Sequence, residues 1–317
     1  PWQLAERNTH AQSCRHRPLL TMSKGSGVTH PVRRLEVYET SLAAVPSPAG
    51  AERPAFGERT SFMPQSDTTT RRVLVTGSTG AIGAPLAAHL LARGHHVRGY
   101  ARRPSSGLAD YIEGDLNDRD AVFRAAHGVD TIVHLGAYPN PADFIDVLIQ
   151  PNVVGLYYIL EAAVAHGVKR VILASTVQVI SGHTFRDRPV HVNDGPAPTN
   201  HYALSKVWAE EAGAMYARVH GLSVISARIG WFPRNTGECI RLASMDGGPD
   251  LFFSHDDANR FFERCVESPT PGPGVSVILH AQSRPANVAR MDVAEAREVI
   301  GYEPHDTWPA GLPFPHA

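Results

Sequence analysis

The sequence predicts an α/β fold built on a doubly wound parallel sheet, and three observations carry that expectation. The stretch Arg72 to Gly83 reads RVLVTGSTGAIG, a short apolar run followed by glycines at every third position. Further short apolar runs alternate along the chain with segments of helical composition. A later segment beginning at Asn200 places Tyr202 and Lys206 one helical turn apart, so both side chains share one face.

The first run, Val73 to Val75, is apolar without alternation, the pattern of a strand covered on both faces. Gly77, Gly80 and Gly83 follow, and Ala84 to Arg93 has helical composition, closed by Gly94. Glycine suits a sharp turn, the close approach of a pyrophosphate, and tight packing of helix on strand. Phosphates then meet unpaired N–H groups at the positive end of the helix dipole. The turn therefore predicts nucleotide binding, with Gly77, Thr79, Gly80, Ala81, Ile82 and Gly83 around the phosphates.

His95 to Ala101 reads as the second strand, ending in Arg102 and Arg103. An acid there would hydrogen-bond the ribose hydroxyls of NAD, whereas arginine accommodates the 2′-phosphate of NADP. The expected cofactor is NAD(P), with NADP favoured. Tyr111 to Glu113 is a short third strand, and Asp115 and Leu116 follow where a carboxylate can meet the adenine amino group. Asp118 to Ala126 is helical. Thr131 to His134 is the fourth strand, and the small residues of Leu135-Gly136-Ala137 let a cofactor lie across the sheet. A long helical segment is expected over Asp143 to His166, with Pro151 kinking it or disturbing its ladder and Asn152 satisfying a freed backbone group. Val171 to Ala174 is the fifth strand, leading into Ser175 and Thr176.

Tyrosine alone has a pKa near 10, too high for a base at neutral pH. The Lys206 ammonium is expected to stabilise the Tyr202 phenolate and bring that value down.

Composition excludes several classes of function. The net charge of -1 gives no bias toward nucleic acid or an anionic membrane, and no apolar stretch approaches the length of a membrane helix. Cys14, Cys239 and Cys265 are isolated and odd in number, and the 17 histidines make no zinc-type pair, so no metal is expected and a cytoplasmic location is. Residues 1–70 are rich in Pro, Ser, Thr, Arg and Gly without a sustained period and are expected to be poorly ordered. A targeting peptide is the alternative reading of the basic stretch Trp2 to Arg34, and a natural start at Met63 is a further expectation.

Together these residues resemble an extended short-chain dehydrogenase/reductase of the NAD-dependent epimerase/dehydratase family. The resemblance rests on Thr76 to Gly83, Asp115-Leu116, His134 to Ala137, Asn152 within QPNVVG, Ser175-Thr176, and Tyr202-Ala203-Leu204-Ser205-Lys206, and it covers about Arg71 to Pro313. It implies a Rossmann fold over 71–317, with substrate-binding elements mainly in 228–317. It also implies Tyr202 as catalytic acid/base and Lys206 as holder of the nicotinamide ribose. Thr176, with Ser175 beside it, would orient the substrate oxygen. The loop after the sixth strand, Arg228 to Pro233, would lie near nicotinamide and substrate, with Ile229 on the cofactor side. A homodimer through the helices carrying Tyr202 and Asp143 to His166 is implied as well.

Only about 110 residues follow Lys206, too few for the lobe that grips a nucleotide sugar. FFSHDDANRFFERCVE and IGYEPHDTWP instead resemble uronate dehydrogenases, which oxidise the anomeric carbon of a free sugar acid. Ser254 is expected to cap the helix begun by Asp256 and Asp257, which makes those acids structural. The chain departs from that subgroup at Val177 and Gln178, at Trp231, and at Arg102-Arg103. Its substrate-binding candidates are Thr176, Gln178, Trp231 and Arg241, with Arg234 as a second choice to Arg241 for a carboxylate. The expected function is hydride transfer between nicotinamide and a sugar-like or small hydroxyl or carbonyl substrate. The alternatives are an epimerase or dehydratase that retains its cofactor, and a non-catalytic nucleotide-sensing regulator.

Overall fold

The computed structural model describes residues 70–104, 107–184 and 188–315. The expectations for the amino-terminal stretch, the Met63 start and Cys14 lie outside the described residues.

Seven strands form one all-parallel sheet in the order β3-β2-β1-β4-β5-β6-β7. They are β1 (Arg72–Thr76), β2 (His96–Ala101), β3 (Asp110–Glu113), β4 (Thr131–His134), β5 (Arg170–Thr176), β6 (Ser223–Ile229) and β7 (Ser276–Ala281). The helices are α1 (Gly83–Ala92), α2 (Arg119–Ala126), α3 (Gly155–Ala165), α4 (His201–His220), α5 (Thr236–Ser244), α6 (His255–Glu267) and α7 (Ala294–Ile300). β7, a short apolar run set after a proline- and glycine-rich turn, adds a seventh strand to the six expected from sequence.

Alternate residues of each strand go to opposite faces, and both faces are covered. Val73, Val75, Ile172 and Ile225 join Leu86 and Leu90 of α1 and Phe261 and Phe262 of α6 in one core. Leu74, Ile132, Val171, Leu173 and Val224 join α2, α3 and α4 in the other. That two-sided burial is why the strands read as unbroken apolar runs.

The helical segment expected over Asp143 to His166 is present between those two residues as caps, and its ladder is disturbed around Pro151 as expected. Asp143 caps the first of two wide π-type turns, Phe144–Leu148 and Gln150–Val154, that precede α3 at Gly155. Pro151, without an N–H, falls inside the second wide turn. Asn152, however, does not repair the helix backbone. Its Oδ1 accepts from Tyr138 N at 2.8 Å, and its Nδ2 donates to Tyr138 O at 3.1 Å and to Ser205 Oγ at 3.2 Å. It therefore ties the loop after β4 to α4.

At α6 the expectation holds. Ser254 Oγ accepts from Asp257 N at 2.9 Å, and buried Asp257 takes up Arg260 and the backbone N–H groups of His305 and Asp306. No described helix is long and apolar enough to cross a membrane.

Candidate active site

The strand order reverses between β1 and β4, and the loops that leave these two strands touch there. Gly77 has φ +69°, and a Cβ on it would lie 3.0 Å from Gly136 N. A Cβ on Gly83 would lie 2.2 Å from Gly77 O, so the third glycine is what lets α1 pack onto its own turn. Ile82 provides no side-chain cap, and the first turn of α1 carries no acid. Ala84 N and Leu86 N donate to Gly80 O and Ile82 O and Pro85 has no N–H, so what α1 offers an anion is Gly83 N and the turn before it. The backbones of Gly77 and Gly136 approach each other closely at the floor of this crevice. This geometry fits a dinucleotide.

Thr76 Oγ1 accepts from Gly136 N at 3.1 Å and lies 2.8 Å from His134 Nδ1. Burial, with the Lys206 charge second, pushes the His134 pKa down to about 3, so the ring stays neutral. At the other end of the crevice Arg102 is exposed, its Nε 4.0 Å from Asp115 Oδ2. Arg103 is also exposed, and its carbonyl accepts from Tyr111 OH. Asp115 holds its loop through Asn117 N, which donates to Oδ1 at 2.9 Å.

α4 starts at the Asn200 cap, whose Oδ1 accepts from Ala203 N at 2.8 Å, and Asn200 Nδ2 donates to Gln178 Oε1 at 2.9 Å. Gln178 thereby gives its Oε1 to the cap. Tyr202 and Lys206 are both buried, and Thr176 stands near enough to the Tyr202 hydroxyl to favour its ionised form. Lys206 Nζ donates to Ala174 O at 3.0 Å and lies 5.9 Å from the centre of the Tyr202 ring. A cavity of about 10 Å³, room for about one water, sits between Lys206, His134, Gly136 and Asn152.

Two expectations are corrected here. Burial pushes the Tyr202 pKa up to about 12, and the Thr176 hydroxyl and the Arg234 charge only partly offset it. Lys206, itself moved down to about 8 by burial, is not what tunes the phenol in this geometry. Ser175 does not join the site. It lies on the same strand face as Val171 and Leu173, so its buried hydroxyl points at α4 and donates to Glu210 Oε1 at 2.6 Å.

Glu210 is a residue the sequence reading missed, although its spacing four positions after Lys206 was a usable signal. Its carboxylate receives Arg228 Nε at 2.9 Å and Nη2 at 2.8 Å, a fully buried pair. Arg228 and Ile229 belong to β6 and not to the loop expected there, and Ile229 pairs in register with Thr176.

The loop that does follow β6 is braced from three sides. Trp231 N donates to Leu251 O at 2.6 Å, Phe253 N to Trp231 O at 2.9 Å, and His255 Nε2 to Pro233 O at 2.8 Å. Arg241 is exposed and lies over the Trp231 ring, 5.5 Å from its centre. Arg234, the second choice from sequence, is the arginine whose charge Tyr202 feels.

A seven-stranded parallel sheet with a glycine-lined crevice at its switch point defines a Rossmann-like protein. Residues 73–231 match the model of the NAD dependent epimerase/dehydratase family, and the chain belongs to that family. It is 34% identical over 254 residues to an L-arabinose 1-dehydrogenase (NAD(P)(+)) of Haloferax volcanii, covering 74% of this chain and 96% of the relative. It is 33% identical to a uronate dehydrogenase of Pseudomonas syringae pv. tomato, over 65% and 74% of the two chains. Among solved structures, a uronate dehydrogenase variant from Agrobacterium tumefaciens complexed with NAD superposes with a TM-score of 0.66. That match has 26% identity and covers 78% of this chain and 92% of the other.

Proposed function

We propose that the chain is an NAD(P)-dependent oxidoreductase that oxidises a hydroxyl of a free sugar or sugar-like substrate, or reduces the corresponding carbonyl. The observation that carries this reading is the convergence of Thr176, Tyr202 and Lys206 beside the crevice floored by Gly77 and Gly136. The names of the relatives support the same chemistry.

Residues 79–83 would hold the pyrophosphate, Asp115 and Leu116 the adenine end, and Leu135, Gly136, Ala137 and Ile229 would border the nicotinamide end. Nicotinamide supplies the hydride acceptor or donor at C4. The chain's own residues handle the proton. Thr176 hydrogen-bonds the reacting oxygen, and Tyr202 removes its proton as phenolate during oxidation or returns it from the phenol during reduction. Lys206 keeps a positive charge beneath the pair. With Tyr202 at about 12, the free protein holds the phenol protonated, which suits reduction directly and makes oxidation favour alkaline conditions.

Exposed Arg102 and Arg103 support a preference for NADP over NAD. The partner we propose beyond the substrate is a second copy, docked on outer faces of α3 and α4 that expose Tyr157, Trp208, Met215 and Val219. Free, buried Cys239 and Cys265 support a reducing cytoplasmic setting.

The test is a fluorescence titration of the purified chain with NADPH and NADH, joined to absorbance at 340 nm over aldoses, sugar acids and small carbonyls. Cofactor binding with turnover of a sugar is expected. Binding without net redox turnover would move the reading to an epimerase or a sensor, and no binding would overturn it.

A further inference from the structure

The sheet order places β5 between β4 and β6, so anything linking the loops after β4 and β6 must cross the carboxyl end of β5, where Thr176 sits. Arg234 makes that link. It stands in the loop after β6, and its Nη2 donates to Asn140 Oδ1, in the loop after β4, at 3.2 Å. The guanidinium thus spans the mouth above the reacting oxygen, and its charge reaches Tyr202.

Most of that guanidinium is already committed. Glu238, in the first turn of α5, accepts Arg234 N at 2.8 Å, takes Nε with Oε1 at 2.9 Å and Oε2 at 3.0 Å, and also accepts from Nη2. Asn235 fixes that turn by accepting from Glu238 N at 3.0 Å. The second arginine a sugar acid could use, Arg241, lies three residues further along α5, exposed over the Trp231 ring, and its charge reaches the same carboxylate. Burial opposes ionisation of Glu238, but Arg234 and then Arg241 outweigh it and hold the carboxyl below its usual range. The Arg234 guanidinium is therefore already matched by a protein-supplied anion, whose charge Arg241 also feels. What remains on Arg234 is Nη1, which can give hydrogen bonds to a hydroxyl or ring oxygen. A substrate carboxylate would have to sit beside the Glu238 carboxylate.

We infer that Glu238 fills the carboxylate seat of this site, so that the chain selects a neutral sugar over a sugar acid or other anionic sugar. This rests on the oxidoreductase reading above. Specificity set by a repulsive group against the competing ligand is a general device.

Three probes test it because they share ring configuration and differ only in what C5 carries. These are L-arabinose with hydrogen, D-galactose with a hydroxymethyl group, and D-galacturonate with a carboxylate. The expected result is a kcat/KM for one of the neutral sugars that exceeds that for the acid by about tenfold or more. Glu238→Gln, which keeps an acceptor for Arg234 but removes the charge, should lower that ratio about tenfold, mainly through KM for the acid. NADPH titration of both proteins shows whether each is folded and loaded. A native preference for galacturonate, or a ratio that Glu238→Gln leaves unmoved, would overturn the inference. Intact cofactor binding with no turnover of any sugar by either protein would overturn the oxidoreductase reading itself, and the inference with it.

Discussion

Replacing Arg228 with Met should unfold the chain far more readily than its distance from the surface suggests. The guanidinium and the Glu210 carboxylate are joined by bonds of 2.9 and 2.8 Å, with their side chains only 1% and 3% exposed. Removing one member leaves Glu210 as a buried charge whose remaining hydrogen bond is from Ser175 Oγ, with the Lys206 charge one turn away, a situation that costs about 3–5 kcal/mol. For a unit of this size each kcal/mol corresponds to about 2–4 °C, so the expected fall in Tm is about 6–20 °C. The double variant Arg228→Met/Glu210→Leu should recover most of the loss, because a buried pair replaced by apolar groups is often near neutral. Recovery should stop about 1 kcal/mol short, since Ser175 loses its acceptor. Urea denaturation followed by circular dichroism measures all three proteins. A single variant destabilised by less than about 1 kcal/mol would show that the pair is not desolvated and would refute the reasoning.

Three further outcomes follow from the site. Active oxidation needs Tyr202 ionised and Lys206 charged, and with values of about 12 and about 8 the population of that form rises with pH up to about 8 and then levels. A pH profile of kcat/KM for sugar oxidation should accordingly climb with a log slope of about one and plateau near pH 8. Gly83→Ala places a methyl against the Gly77 carbonyl, at 2.2 Å before relaxation, and should cost about 1–3 kcal/mol together with measurable cofactor affinity. Arg102→Ala combined with Arg103→Ala should weaken NADPH about tenfold in a fluorescence titration while leaving NADH nearly unchanged.

The parts of this molecule legible in its sequence are those that local chemistry dictates. β1, the glycine turn and α1 could be placed because a buried parallel strand has a continuous apolar signature and because the turn admits no side chain at Gly77 or Gly83. Tyr202 and Lys206 could be paired because helical spacing is fixed. What stayed hidden depends on which elements become neighbours. Ser175 looks like a partner of Thr176 in sequence, yet strand alternation sends it to Glu210 on the far face. Arg234 and Asn140 are separated by 94 residues, and only the sheet order brings them together over Thr176. The expected fall in the Tyr202 pKa fails for a related reason, since the spacing to Lys206 is readable but the depth of burial that outweighs it is not.

The central claim is that Tyr202 moves the proton of the reacting hydroxyl. Tyr202→Phe removes one oxygen from a buried ring and tests it most directly, with the rate on the best sugar substrate read beside NADPH affinity. The account predicts a rate lower by at least about 10²-fold with cofactor binding kept within a few-fold. Undiminished turnover in that variant would contradict it.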